Sequence, residues 1–300
     1  MSWKLFKFAV KHSLRNGPNF IRWFYMCRSK RITRWKNPCA SKPIQNTPVH
    51  ILAGKDHFAM CLWTIVSFIE ATQRNWSFHI HDDGSFRGDE HESLVDMNLP
   101  LTIHYRRNIE EIIRSKLQMF PLCQQMRDRF SFALKVFDVC LLNPTDRYIM
   151  IDCDILFFKK PNEILDWVDS NLMSFYVSKD IAEANLVSCE DAQTLFGIKL
   201  WPCVNAGLCF IPCAAMSLAD SENFLDKSGL LQMGKVWTIE QTLFSLHASL
   251  ANSGGYLPAT YELSLARDRQ PDSISRHYVG AVRDRFYTEG IREIAGRIGI

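Results

Sequence analysis

Apolar runs of strand length alternate with segments of helical period along most of this chain, and that alternation predicts an α/β architecture with helices covering a central sheet. Val49-His50-Ile51-Leu52-Ala53 reads as the first strand, residues 57–72 as a helix, and Ser77-Phe78-His79-Ile80-His81 as the second strand. The turn Asp82-Asp83-Gly84-Ser85, a short helix near 89–97 and the strand Leu101-Thr102-Ile103-His104-Tyr105 follow. Over 124–142 the apolar residues Phe130, Leu134, Phe137 and Leu141 recur at helical spacing, and Asn143-Pro144 ends that helix. Later elements are a helix near 161–169, strands at 173–177 and 204–211, and a helix over roughly 238–250.

Between the third strand-and-helix pair and these later elements lies Arg147-Tyr148-Ile149-Met150-Ile151-Asp152-Cys153-Asp154, an apolar run closed by two carboxylates one residue apart. It reads as a buried strand that delivers its acidic end to the carboxyl edge of the sheet, where open α/β folds place their ligands. In an extended chain, positions 152 and 154 point to the same side and can hold a divalent cation against a diphosphate. A solvated strand end is the plainer account of two acids. The strand before them and the residues considered below favour the metal.

Charge divides the chain. Thirty-five basic and 32 acidic residues give a net +3, yet residues 1–40 carry ten Lys or Arg and no acid, so the rest of the chain is net negative. The same segment holds Trp3, Phe6, Phe8, Phe20, Trp23, Phe24, Tyr25 and Trp35. Basic residues interleaved with aromatics suit peripheral contact with anionic lipid, and equally a helical extension whose aromatic face packs on the core. No nucleic-acid-binding module accompanies the patch. The Pro-punctuated stretch Pro38 to Pro48 predicts a boundary between an extension, 1–47, and a single domain, 48–300. No secretory leader is legible, and the longest apolar stretch, Phe58 to Ile69, is too short to span a bilayer; the expectation is a cytoplasmic protein, with membrane association at the inner face through residues 1–40. Ten scattered cysteines without a Cys-x-x-Cys spacing predict reduced thiols rather than a zinc site or disulfide framework.

The order Lys135, Asp152-Cys153-Asp154, Asn205-Ala206-Gly207-Leu208, Glu240-Gln241 and His277-Tyr278-Val279-Gly280-Ala281-Val282-Arg283 resembles the GT-A fold glycosyltransferases, most of all the retaining glycosyltransferase family 8 group, over about residues 48–287. The resemblance implies a Rossmann-like GT-A domain with a mixed central sheet. It also implies transfer of a hexosyl unit from a nucleotide diphosphate sugar, a UDP-sugar foremost, to a hydroxyl of a glycan or lipid-linked glycan. On that resemblance Asp152, Asp154 and His277 bind Mn²⁺, with Mg²⁺ as the alternative; two carboxylates and an imidazole suit manganese better, because magnesium prefers oxygen and retained water. On the same resemblance Glu240 and Gln241 fall beside the reacting carbon, although the other reading of Glu240 is a carboxylate near a helix N-terminus that favours the macrodipole. Asn205, Ala206 and Gly207 fall against the donor sugar, where small residues let backbone approach and the amide can bond hydroxyls.

Lys135 falls at a basic donor-binding position, although its other reading is an exposed helix lysine near Asp138. Gly280 and Arg283 close the donor loop. Here the sequence departs from the family's His-x-x-Gly-x-x-Lys motif: Arg283 replaces lysine, and Asp284-Arg285 stands where Pro-Trp is expected. A guanidinium still binds phosphate bidentately. Asp83, in a turn similar to that of inverting GT-A enzymes, and Asp56, after the first strand, are the expected base or ribose contacts; Asp56 equally suits a helix cap. Two other functions compete. A nucleotidyltransferase would use the same acidic pair but needs a Gly-Ser turn about one helix upstream, and Gly84-Ser85 lies much further away. A non-catalytic nucleotide-sugar-binding module has no need of a complete set of metal residues.

Overall fold

The computed structural model describes residues 18–233, 236–251 and 253–300. The expectation for the basic extension therefore lies partly outside the described residues, since Trp3, Phe6 and Phe8 precede residue 18. The described part begins with α1 (Pro18–Ser29), whose Arg28 donates to the Ile300 carbonyl at 3.1 Å. Ile32 and Trp35 are buried in the core, and the Trp35 indole donates to Glu70 at 3.0 Å.

The chain then runs β1 (Ile44–Ala53), α2 (Phe58–Thr72), β2 (Asn75–Asp82), β3 (Leu101–His104), α3 (Arg106–Leu117), α4 (Pro121–Arg129), α5 (Ala133–Val136) and α6 (Asp138–Leu142). It continues through β4 (Arg147–Ile151), β5 (Ile155–Phe157), α7 (Asn162–Asp169), β6 (Phe175–Lys179), α8 (Cys189–Phe196), β7 (Val204–Pro212) and α9 (Leu218–Ser228). The last elements are α10 (Val236–Ala251), β8 (Gly254–Tyr256), β9 (Tyr261–Leu263), β10 (Ser275–His277) and α11 (Arg292–Ile298). Seven strands form one sheet in the order β3-β2-β1-β4-β7-β6-β8, and β5-β10-β9 form a second, smaller sheet. The large sheet is mixed: β1, β2, β3 and β4 are parallel, whereas β7 runs antiparallel to β4 and β6.

Strand β4 shows why its sequence is an unbroken apolar run. Ile149 and Ile151 point into the core shared with α2, while Tyr148 and Met150 point into the core shared with α10, so all five residues of the strand are buried. No helix among the described residues is long and apolar enough to cross a membrane. All ten cysteines are free thiols.

Two helical expectations change. The helix read over 124–142 is three pieces, α4, α5 and α6. A continuous helix would separate positions 127 and 138 by about 16 Å along its axis, yet the fully buried Arg127 and Asp138 bond at 2.7 Å, which requires the chain to fold back. Phe130, extended at φ −133 and ψ 122, supplies the break. Helix α3 has no counterpart in the sequence reading, although Ile109, Ile113 and Leu117 recur every four residues and are its buried face.

One face of β1, β2 and β3 carries four stacked imidazoles. His50 pairs in register with His79, and His81 with His104. Ring centroids lie 4.7 Å apart for His50 and His79 and 4.8 Å for His81 and His104. His50 and His81 are fully buried and share a 2.8 Å nitrogen contact, with the far side of His50 on Asn143 at 3.0 Å. Burial, reinforced by the neighbouring imidazoles, holds His50 and His81 well below the ordinary value of 6.5, and burial with His104 takes His79 down to about 4. The folded chain therefore keeps these rings neutral where the unfolded chain protonates them. Stability is fully present above pH 6.5 and is lost as pH falls, at a rate set by the extra protons of the unfolded state. We expect His81 alone to remove roughly 2 kcal/mol between about pH 7.5 and pH 5. Urea unfolding at both pH values, as the difference between wild type and His81→Phe, measures this; equal pH dependence in the two would refute it.

Candidate active site

The two aspartates do not converge by strand alternation. Strand β4 ends at Ile151, and residues 153 and 154 form a turn in which the Ile155 amide donates to the Asp152 carbonyl at 3.2 Å. The Asp152 amide meanwhile donates to the Gly207 carbonyl at 2.6 Å, which ties the acidic turn to β7. The third member arrives through the small sheet: β10 pairs antiparallel with β5, placing His277 opposite Ile155, and the Tyr278 amide donates to the Asp154 carbonyl at 2.9 Å. His277 Nε2 lies 3.0 Å from Asp154 Oδ1 and 3.8 Å from Asp152 Oδ2.

A chain of polar contacts fixes that imidazole. Asn205 donates its amide to Asp180 at 2.9 Å, so its Oδ1 is left to accept, and it takes the Gly207 amide at 2.9 Å and His277 Nδ1 at 3.2 Å. With Nδ1 donating to Asn205, Nε2 is the nitrogen that faces the carboxylates. A methyl group at Gly207 would lie 2.5 Å from His277 Cε1 and 2.8 Å from Asn205 Oδ1, so only glycine leaves room for this arrangement. One ligand atom each from Asp152, Asp154 and His277 falls within 4.8 Å of the other two. Two carboxylate oxygens and an imidazole nitrogen held by a second-layer amide fit a divalent cation.

Cations of the chain itself surround the acids. Arg283 Nη2 lies 2.9 Å from Asp154 Oδ2. Lys135 is buried and bridges Asp152 Oδ1 at 2.8 Å and Glu240 Oε1 at 2.7 Å. Its expected neighbour Asp138 pairs with Arg127 instead, because the helix break turns Lys135 toward the sheet edge. Burial pushes the Glu240 carboxyl up to about 7 against the pull of Lys135. Burial would lower the Lys135 ammonium, but Asp152 and Glu240 outweigh it and raise that group. For Asp154 burial acts upward, and the His277 and Arg283 charges more than offset it, holding the carboxyl at about 2.

These groups line one cavity of about 610 Å³. Asp83, Lys135, Asp152, Asp154, Asn205, Ala206, Gly207, Glu240, Gln241, His277, Gly280 and Arg283 all contribute to its wall. Asp56 does not; it is exposed, and Gly54 and His57 line the cavity in its place. Asp83 packs over Gly54, where a methyl group would stand 2.2 Å from Asp83 Oδ2. Its neighbour Asp82 is used internally, accepting from the Gly84 and Phe86 amides. Sequence reasoning missed Asp180, which also accepts from Gln241 at 3.3 Å. Its signal was a carboxylate directly after strand β6, weaker than that of Asp152 because Ser178 and Lys179, not apolar residues, precede it.

Comparison with solved structures places the fold. Over 79% of this chain and 98% of the other, the fold superposes on mouse xyloside xylosyltransferase 1 with a TM-score of 0.54 at 10% identity. It superposes on the galactosyltransferase LgtC, solved with donor and acceptor sugar analogues, with a TM-score of 0.50 at 14% identity over 84% of this chain and 96% of that one. The fold is that of the GT-A glycosyltransferases. GlyE of Streptococcus pneumoniae TIGR4 aligns over 85% of this chain and 61% of its own, with a TM-score of 0.54 and 11% identity. No protein-family model matches the chain, and no curated protein sequence matches it. The mixed seven-stranded sheet agrees with the GT-A architecture expected from sequence.

Proposed function

We propose that this protein is a divalent-metal-dependent glycosyltransferase that moves a hexosyl unit from a nucleotide diphosphate sugar, a UDP-sugar foremost, to a hydroxyl acceptor with retention of configuration. The observation that carries the reading is the convergence of Asp152, Asp154 and His277 at the wall of a cavity that also holds the Lys135–Glu240 ion pair. A cation bound by those three side chains, Mn²⁺ by the chemistry of the donor set, supplies positive charge against the departing diphosphate.

The chain's own groups do the rest. Arg283, held on Asp154, presents a guanidinium suited to bidentate phosphate contact. Asn205 and Gln241, both donating to Asp180 and both on the cavity wall, are the amides that would meet hydroxyls of the donor sugar. Glu240, paired with Lys135 at 2.7 Å, is the acidic group that would face the reacting carbon of the donor, as the family resemblance implies. Because that carboxylate is already engaged by Lys135, it is poorly placed as a general base for an inverting attack, and the leaving diphosphate is left to take the acceptor proton. The family resemblance points the same way.

The test is a panel of nucleotide diphosphate sugars assayed for hydrolysis with and without Mn²⁺. We expect one donor class to be hydrolysed slowly and only with the metal. Pyrophosphate release from a nucleoside triphosphate, with no turnover of any nucleotide sugar, would favour nucleotidyl transfer and remove the glycosyltransferase reading.

A further inference from the structure

Three of the large apolar side chains that stand exposed on this protein gather at the cavity just described: Phe132 at 42% exposure, Ile181 at 54% and Trp237 at 48%. Their sequence positions explain the gathering. Trp237 lies in the first turn of α10, three and four residues before Glu240 and Gln241, so it shares their helical face one turn further out. Phe132 stands in the same relation to Lys135, three residues before it at the start of α5 with helical backbone angles. Thus the two helices that deliver the Lys135–Glu240 pair, 2.7 Å apart, each carry a half-exposed aromatic ring one turn outward from it. Ile181 directly follows Asp180, the residue that holds Asn205 and Gln241.

We propose that Trp237 and Phe132 form the acceptor subsite, and that it selects a pyranose ring rather than an alkyl chain. This rests on the glycosyltransferase reading and names the substrate class that the same site takes. Standing one helical turn outward from Lys135 and Glu240 on the cavity wall, the two rings are placed to meet an acceptor that approaches that pair. Aromatic side chains on a cavity wall that also carries Asp180, Ser131 and Gln241 match a ring with an apolar C–H face and a hydroxyl edge. An alkyl chain laid on the same surface would strip water from the Asp180 carboxylate without replacing its hydrogen bonds, which is costly. Both aromatic residues are about half exposed in the free protein, and a stacked pyranose would cover part of that apolar surface.

The experiment uses the full chain with Mn²⁺ and the donor identified in the hydrolysis panel. Methyl glucopyranoside, methyl galactopyranoside and methyl xylopyranoside serve as acceptors, with n-octanol as the acyclic comparison. Transfer is read as acceptor kcat/KM divided by the rate of donor hydrolysis. For the preferred pyranoside, Trp237→Ala should lower that ratio about ten-fold, chiefly through acceptor KM, and Trp237→Tyr should restore most of it. The same pyranoside should change the fluorescence of the donor-loaded wild type more than that of Trp237→Phe. An unchanged ratio in Trp237→Ala, equal loss with octanol, or no pyranoside altering either transfer or fluorescence would overturn the subsite while the transferase reading stands on donor hydrolysis. Absence of any donor hydrolysis by the wild type would instead remove both.

Discussion

Asp154→Ala should lower metal-dependent donor turnover by at least about a hundred-fold, the scale seen when a group that stabilises developing negative charge is removed. The side chain is buried and serves three partners at once: it offers Oδ1 to His277 Nε2 at 3.0 Å and Oδ2 to Arg283 at 2.9 Å, and it completes the set of ligand atoms with Asp152. Its low pKa, about 2, keeps it ionised across the working range, because His277 and Arg283 outweigh the opposing effect of burial. Truncation removes one of the three candidate ligands and strands the other charges. Asp154→Asn keeps the volume and the hydrogen-bonding shape without the charge, so it separates packing from electrostatics. The measurement pairs donor hydrolysis with the rise in unfolding temperature that Mn²⁺ produces. Both should disappear in the two variants, and a variant that keeps the Mn²⁺ shift would show that the cation binds elsewhere.

Lys135→Met should destabilise the metal-free protein by about 3–5 kcal/mol, the usual cost of deleting one partner from a buried ionic group. Lys135 is almost entirely buried and neutralises Asp152 and Glu240 together, at 2.8 Å and 2.7 Å. Without it the two carboxylates face one another in a low-dielectric pocket, and Glu240, already pushed up to about 7 by burial, moves higher and takes a proton. Adding Glu240→Gln to Lys135→Met should recover much of the loss, because the second substitution removes the carboxyl that would otherwise have to take up a proton on folding. Urea unfolding in the presence of a chelator, run as a double-mutant cycle, gives the coupling. Simple additivity of the two substitutions would show that the lysine and glutamate are not energetically paired.

Much of the fold was legible because it is written locally. Strands β1, β2, β4 and β7 and helices α2 and α10 announce themselves by apolar period and by the residues that end them. The acidic end of β4 was legible for the same reason: an apolar strand has to finish in something polar where it leaves the core. The helix over 124–142 was misread because local period cannot register a long-range demand. Only the bond between buried Arg127 and Asp138 makes the break at Phe130 necessary. Helix α3 was readable from Ile109, Ile113 and Leu117, but its dense charge masked the stripe.

The sequence by itself determined which chemistry is available: an Asp-x-Asp at a strand end, an Asn-Ala-Gly in a strand, an acid followed by glutamine, and a late histidine. Tertiary structure alone decided which of these groups meet. Arg283 reaches Asp154 across 129 residues of chain, Lys135 chooses Asp152 and Glu240 over its neighbour Asp138, and Asp56 stays in solvent while Asp180 enters the site. The physical reason is one of range. Backbone period and capping act over a few residues and can be read from one segment, whereas the partner of a buried charge is set by which strands pair and which way each turn folds.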